Sequence, residues 1–226
     1  MIIMDSDLIK QSEWDCLAAD EKDLGKQILR PFDKASWSLL AQDIVNKLEL
    51  DADNISLIDV GCGNAYLLTF FADKLSHITG VDYAQSMIDV ARVNIPDGSF
   101  HVGNASSVLF DDDSFDRTLC YSIFHYFRSD EQVYETIDNL IRITKPGGIV
   151  LIGDLLDNSK EVEIKSGSDL EIEATLPLIK RYSQWRFIDY DAVLTHLNGR
   201  VKKAGLLAQP ETFQTSSYRK DLKIWV

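Results

Sequence analysis

The chain is poor in cysteine, with Cys16, Cys62 and Cys120 the only three among 226 residues. An odd, sparse set without metal-ligand spacing excludes a disulfide scaffold and a cysteine-built zinc site. Cys62 and Cys120 are expected as reduced core thiols at the ends of neighbouring strands. Proline numbers only five, and no internal repeat or low-complexity linker is present. Basic residues are also in deficit, with 23 Lys and Arg against 36 Asp and Glu, a net charge of −13. Such a surface repels phosphate backbones, and the cations form no dense run, so nucleic acid is not an expected partner. No apolar run approaches the length of a membrane span, so no membrane partner is expected. The stretch Met1-Ile2-Ile3-Met4-Asp5 lacks the basic and long apolar regions of a secretory signal, which makes cytoplasmic placement the expectation. The profile of 45% hydrophobic and 26% charged residues is that of an ordinary globular domain. One domain over 1–226 is expected, as a monomer or a homodimer.

The most informative segment runs from Leu57 to Ala65, Leu-Ile-Asp-Val-Gly-Cys-Gly-Asn-Ala. A short apolar run bounded by a glycine turn reads as a buried parallel strand. Gly61 and Gly63 let the backbone turn tightly and approach a ligand. A helix is expected from about Asn64 to Lys74, with its positive end towards the turn. The dinucleotide pattern G-x-G-x-x-G would need glycine where Tyr66 stands. The pattern here is instead D-x-G-x-G-x-A. In these residues the chain resembles the class I S-adenosylmethionine-dependent methyltransferases of the small-molecule type, with Ala65 in place of the family's last glycine.

Further segments match that family in order. Ile78 to Tyr83 is a strand ending in Asp82, which lies 21 residues beyond Gly61, a spacing suited to ribose hydroxyls. Ala84 to Arg92 is a helix with Met87, Ile88 and Ala91 on one side; the resemblance sets Met87 near the adenine. Phe100 to Ala105 resembles the third strand and its adenine-contacting turn, with Asn104 where the family often has Asp. Phe115 to Tyr126 resembles the fourth strand and its exit loop. Leu140 to Ile152 resembles a helix end, a Pro146-Gly147-Gly148 turn and a fifth strand. The resemblance covers roughly residues 55–152 and implies S-adenosylmethionine as cofactor. It sets the cofactor among Asp59, Gly61, Cys62, Gly63, Asp82, Tyr83, Met87, Asn104, Ala105 and Tyr121.

The implied fold is α/β: a seven-stranded, mostly parallel, doubly wound sheet with N-terminal helices and a terminal antiparallel hairpin. Residues 1–50 read as a helical cap broken at Pro31. Asp189 to Ala204 reads as a helix with Gly205 as its C-cap, and Leu206 to Phe213 and Asp221 to Val226 read as the last two strands. Residues 155–188 form an insertion whose second half is apolar. It is a helix on the core rim, a dimer or partner interface, or a lid over the substrate.

The implied reaction moves a methyl group to an oxygen or nitrogen of a small-molecule acceptor. His125, in the exit loop of the fourth strand, is the first candidate for a base, because an unperturbed imidazole titrates near pH 6.5. Tyr126, Tyr121 and Tyr182 are candidates for holding acceptor hydroxyls. His77, His101 and His196 are expected to pack. No metal is expected. Asp154, Asp157 and Asn158 resemble the carboxylate-and-Asn ligands of catechol-type O-methyltransferases. That resemblance implies an Asp just after the fourth strand, where this chain has Ser122-Ile123-Phe124-His125, so these acids read as solvated or capping. A non-catalytic S-adenosylmethionine-binding protein and an NAD-dependent oxidoreductase are the competing classes.

Overall fold

The structure, a computed structural model, describes residues 5–52 and 54–226. The first four residues, on which most of the secretory-signal expectation falls, and Asp53 lie outside the described residues. Three helices open the chain: α1 (Ser6–Asp20), α2 (Leu24–Gln27) and α3 (Lys34–Leu48). Each begins at an aspartate whose carboxylate accepts from a backbone N–H of the first turn, namely Asp5, Asp23 and Asp33. Then follow β1 (Ser56–Val60), β2 (His77–Asp82), α4 (Gln85–Asn94), β3 (Ser99–Val102), β4 (Phe115–Tyr121), α5 (Asp130–Arg142) and β5 (Thr144–Leu156). The insertion carries α6 (Glu161–Ser166) and α7 (Leu170–Ala174). The chain closes with α8 (Tyr190–Leu197), β6 (Lys203–Ala208) and β7 (Arg219–Trp225).

The strands form one seven-stranded sheet in the order β3-β2-β1-β4-β5-β7-β6. Strands β1 to β5 pair in parallel, while β7 runs antiparallel to both β5 and β6. Both faces are covered. Leu57, Leu119 and Leu151 enter one apolar cluster with Trp37, Leu40 and Ile44 of α3 and Ile88 of α4. Their chain neighbours Ile58, Cys120 and Ile152 enter the other, with Ile137 and Leu140 of α5 and Val193 of α8. This is the two-residue alternation of a strand buried on both sides. Strand order reverses between β1 and β4, so their carboxyl ends open a crevice, the usual ligand position in such sheets.

Several local expectations are corrected. The helix expected over 64–74 is two 3₁₀ turns, Leu67–Phe70 and Ala72–Lys74. Ala65 sits at φ +58° and breaks the run, and the buried Asn64 side chain is drawn away to Leu24 and Gln27. No helix dipole of useful length therefore faces the glycine turn. Pro146-Gly147-Gly148 does not precede β5 but lies within it as an irregularity in the pairing with β4. Helix α8 stops at Leu197, because Asn198-Gly199 turns the chain, with Gly199 at φ +73°. Gly205 is accordingly a strand residue and not a C-cap, and Phe213 lies in the loop between β6 and β7, buried in the first cluster. Cys62 and Cys120 are both buried free thiols but belong to opposite faces of the sheet. His77 and His101 are exposed, at strand positions whose side chains face solvent.

Candidate functional site

A cavity of about 730 Å³ opens over the carboxyl ends of β1, β2 and β4. All ten expected cofactor residues line it: Asp59, Gly61, Cys62, Gly63, Asp82, Tyr83, Met87, Asn104, Ala105 and Tyr121. His125 and Tyr126 line it as well.

The turn after β1 explains its own glycines. Gly61 has φ +84°, and a Cβ there would fall 2.6 Å from Ile123 Cγ2. Gly63, at φ +51°, faces Ile28. Asp82 holds the turn in place. Its Oδ2 accepts from the Gly63 N–H at 2.9 Å, and its Oδ1 from the Ala84 N–H at 2.9 Å. Burial, partly offset by these hydrogen bonds, raises its pKa to about 6. Asp59 is 3% exposed, and its Oδ1 has no partner. Burial, and then repulsion from Asp82, pushes it up to about 8. Asn104 caps the short turn after β3, its Oδ1 accepting from the Ser106 N–H and hydroxyl. Both lone pairs of that oxygen are thereby used, which leaves the amide NH2 group for a ligand.

The far end of the cavity has a different character. His125 lies in the 3₁₀ turn Phe124–Tyr126 and is 3% exposed. Burial, with Arg219 nearby, drops its pKa to about 3, against the value near 6.5 expected from the sequence. Its ring stands 4.4 Å from that of Trp185 and 4.0 Å from that of Tyr126. Burial holds the Tyr126 phenol above its usual range. Trp185 also meets Tyr182 at 4.2 Å and Arg219 at 5.4 Å.

Asp154 departs from the sequence reading. It is not solvated: it is 1% exposed at φ +66°, where the pairing of β5 with β7 slips its register. Its Oδ2 accepts from Arg219 Nη1 at 2.5 Å, Arg30 Nη2 at 2.6 Å and the Ser122 hydroxyl at 2.5 Å. The two guanidiniums outweigh the cost of burial and hold this carboxyl far below the usual range. Both arginines line the cavity, while the carboxylate sits behind them. Asp157 is a cap, accepting from the Ser159 N–H. Among the described residues no cluster of His, Cys, Asp or Glu is arranged to hold a metal ion.

The sequence reading overlooked how much of this wall comes from the N-terminal segment. Lys10 and Trp14 of α1, and the run Ile28 to Phe32, all face the cavity. Helix α1 buries only Ala18 and is tied down by polar contacts. Lys10 Nζ donates to the Tyr126 carbonyl, Gln11 Nε2 to the Tyr83 carbonyl, and Asp15 accepts from the Ser86 N–H at the start of α4. Glu13 accepts from the N–H groups of Leu178 and Ile179 in the insertion. A signal for the arginine site does exist in the sequence. Arg219, Asp221 and Lys223 alternate on β7, which puts three charges on one face of a core strand. Each is 6% exposed or less and paired, with Asp154, Lys47 and Glu49 respectively.

The comparisons with known proteins follow this geometry. Residues 58–152 match the family model described as "Methyltransferase domain". Over these residues the chain is similar to methyltransferase domains. The fold around it is the class I, Rossmann-like one. The chain is 32% identical over 102 residues to the demethylmenaquinone methyltransferase of Bacillus subtilis, covering 42% of each protein. It is 30% identical over 104 residues to the malonyl-[acyl-carrier protein] O-methyltransferase of Serratia marcescens, covering 46% of this chain and 39% of that one. It therefore spans about two fifths of these curated relatives. Magnesium protoporphyrin IX methyltransferase from Synechocystis, solved with bound S-adenosylhomocysteine, superposes with a TM-score of 0.63 at 13% identity. That match covers 95% of this chain and 93% of the other, so the shared fold extends well beyond residues 58–152.

Proposed function

We propose that this protein transfers a methyl group from S-adenosylmethionine to an oxygen or nitrogen of a small-molecule acceptor. The observation that carries the reading is the convergence of every strand-end candidate on one cavity, with two buried acids, Asp59 and Asp82, at one end.

The residues at that end fit the cofactor. An unpartnered buried carboxylate oxygen is costly, and a bound ammonium would relieve the one on Asp59. Each oxygen of Asp82 keeps a lone pair for a ribose hydroxyl beyond its backbone contact. Gly61 lets the turn adopt its positive φ and leaves room for the Ile123 side chain that packs against it. Met87, Asn104 and Ala105 form the wall for the adenine. When bound, S-adenosylmethionine supplies an electrophilic methyl group on a cationic sulfur. The protein then contributes chiefly proximity and alignment, which are able to lower a barrier by about 7–11 kcal/mol.

His125 and Tyr126 flank the acceptor side. The low basicity of His125 keeps its ring neutral, so it orients the acceptor through a hydrogen bond. The acceptor brings a nucleophile that is already competent, an amine or an acidic hydroxyl whose proton passes to solvent. The insertion, through Ile179, Tyr182 and Trp185, closes the acceptor side as a lid, and the N-terminal helical segment, through Lys10, Trp14 and the run Ile28 to Phe32, caps the cavity beside it.

Calorimetric titration with S-adenosylmethionine, S-adenosylhomocysteine and NADH tests this reading. Micromolar binding of the first two, without NADH, is the expected result. Absence of binding by both sulfur nucleosides would overturn it.

A further inference from the structure

Among the described residues, five buried side-chain polar atoms lack a hydrogen-bond partner: Asp59 Oδ1, His125 Nδ1, Thr136 Oγ1, Trp185 Nε1 and Arg219 Nε. All but Thr136 belong to residues that line the cavity over the strand ends. Native proteins leave few such atoms, so their concentration at one place marks a binding site. Their chemistry divides by position. At the cofactor end the lone atom is an acceptor on an acid. At the far end two of the three atoms, Trp185 Nε1 and Arg219 Nε, are N–H donors, and the third is an imidazole nitrogen that is able to donate.

The charges divide in the same way. Asp59 and Asp82 line the cofactor end, while Arg30, Arg219, Lys10 and Lys180 line the other, with Asp7 as the acid near Lys10; Glu21 and Lys26, one charge of each sign, also line the cavity. Asp154 spends its own charge on two guanidiniums at once. Around these donors stand the rings of Trp14, Tyr126, Tyr182 and Trp185. In a chain with a net charge of −13, this is a local positive, aromatic chamber.

We infer that the methyl acceptor is a planar aromatic carboxylic acid, its carboxylate held by Arg30 and Arg219 and its ring packed among Tyr126, Tyr182 and Trp185. The inference rests on the methyl-transfer reading of the same cavity. Guanidinium suits this task because its planar donor fork matches a carboxylate. The three orphan atoms are shielded from solvent, and the indole of Trp185 lies against both His125 and Arg219. The acid reaches them as Trp185 shifts, so binding alters the emission of that tryptophan.

The test uses the full chain, free and saturated with S-adenosylhomocysteine. It is titrated at millimolar concentration with 4-hydroxybenzoate and with its methyl ester, by calorimetry and tryptophan fluorescence. The acid is expected to bind at least tenfold more tightly than the ester, with an emission change that Trp185→Phe removes. Arg30→Gln, a partly exposed position whose loss leaves the Arg219–Asp154 pair standing, should erase the preference for the acid and leave S-adenosylhomocysteine binding unchanged. Equal affinity for acid and ester, or no binding of either, overturns the inference while the methyl-transfer reading stands. Failure of S-adenosylhomocysteine to bind overturns that reading instead, and the acid–ester comparison on the free protein still decides the anion site.

Discussion

At the cofactor end of the cavity, Asp59, Gly61, Gly63, Asp82 and Asn104 each lie within three residues of the carboxyl end of a parallel strand. At the acceptor end, Arg30, Trp185 and Arg219 arrive from three distant segments and meet around Asp154. The first end is held by backbone hydrogen bonds to a carboxylate that belongs to the sheet. The second is held by charge pairing between elements that only the finished fold brings together. Binding the cofactor is thus an inherited property of the sheet, whereas binding the acceptor depends on tertiary assembly.

The largest expected effect comes from breaking the acceptor end. Asp154→Ala leaves Arg30 and Arg219 unpaired in a buried setting, and such losses cost about 3–5 kcal/mol. Denaturant unfolding measures this. If the two ends are separable, S-adenosylhomocysteine affinity of the folded variant stays close to that of the wild type. Asp82→Ala strikes the other end. It should weaken S-adenosylmethionine binding more than tenfold, a loss above about 1.4 kcal/mol, with the sheet intact by circular dichroism. An unchanged dissociation constant would remove Asp82 from the site.

Protonation sharpens the contrast. The Asp59 pKa of about 8 in the folded chain exceeds the ordinary aspartate value, so the folded state binds the proton more tightly than the unfolded one. The stability of the free protein therefore falls as pH rises from about 4 towards 8. Binding of a cationic ligand favours the ionised carboxylate and reverses the trend. Affinity for S-adenosylmethionine should then rise up to tenfold per pH unit between about pH 6 and 7.5, and calorimetry in buffers of different ionisation enthalpy should register proton release. His125→Asn abolishes no titration in that range, because the His125 pKa of about 3 lies below it. The smallest effect belongs to the tie between the ends. Glu13→Gln weakens two hydrogen bonds to the insertion and costs about 1 kcal/mol or less, read as faster proteolysis within residues 157–188.

The same contrast explains what could be read from sequence. Strand ends and the glycine turn are contiguous patterns, so Asp59, Gly61, Asp82 and Met87 could be named before the fold was seen. Asp154 could not be assigned correctly. Beside Asp157 it looks like one more surface acid, and its partners are 124 and 65 positions away. The helix expected after Gly63 failed for a local reason, a left-handed Ala65 and an Asn64 drawn into the N-terminal segment. His125 was found by its place after β4, but its titration depends on burial by Trp185 and Tyr126, which no pattern in the exit loop encodes.

Helix α1 buries one residue fully and rests on polar ties from Asp7, Lys10, Gln11, Glu13 and Asp15, whereas β1 and β4 lie inside the sheet with both faces covered. Local opening free energies follow buried apolar contact. In deuterated water the amides of α1 will therefore exchange well ahead of those of β1 and β4. The cover over the cavity keeps its own clock, and it opens many times for each unfolding of the sheet beneath it.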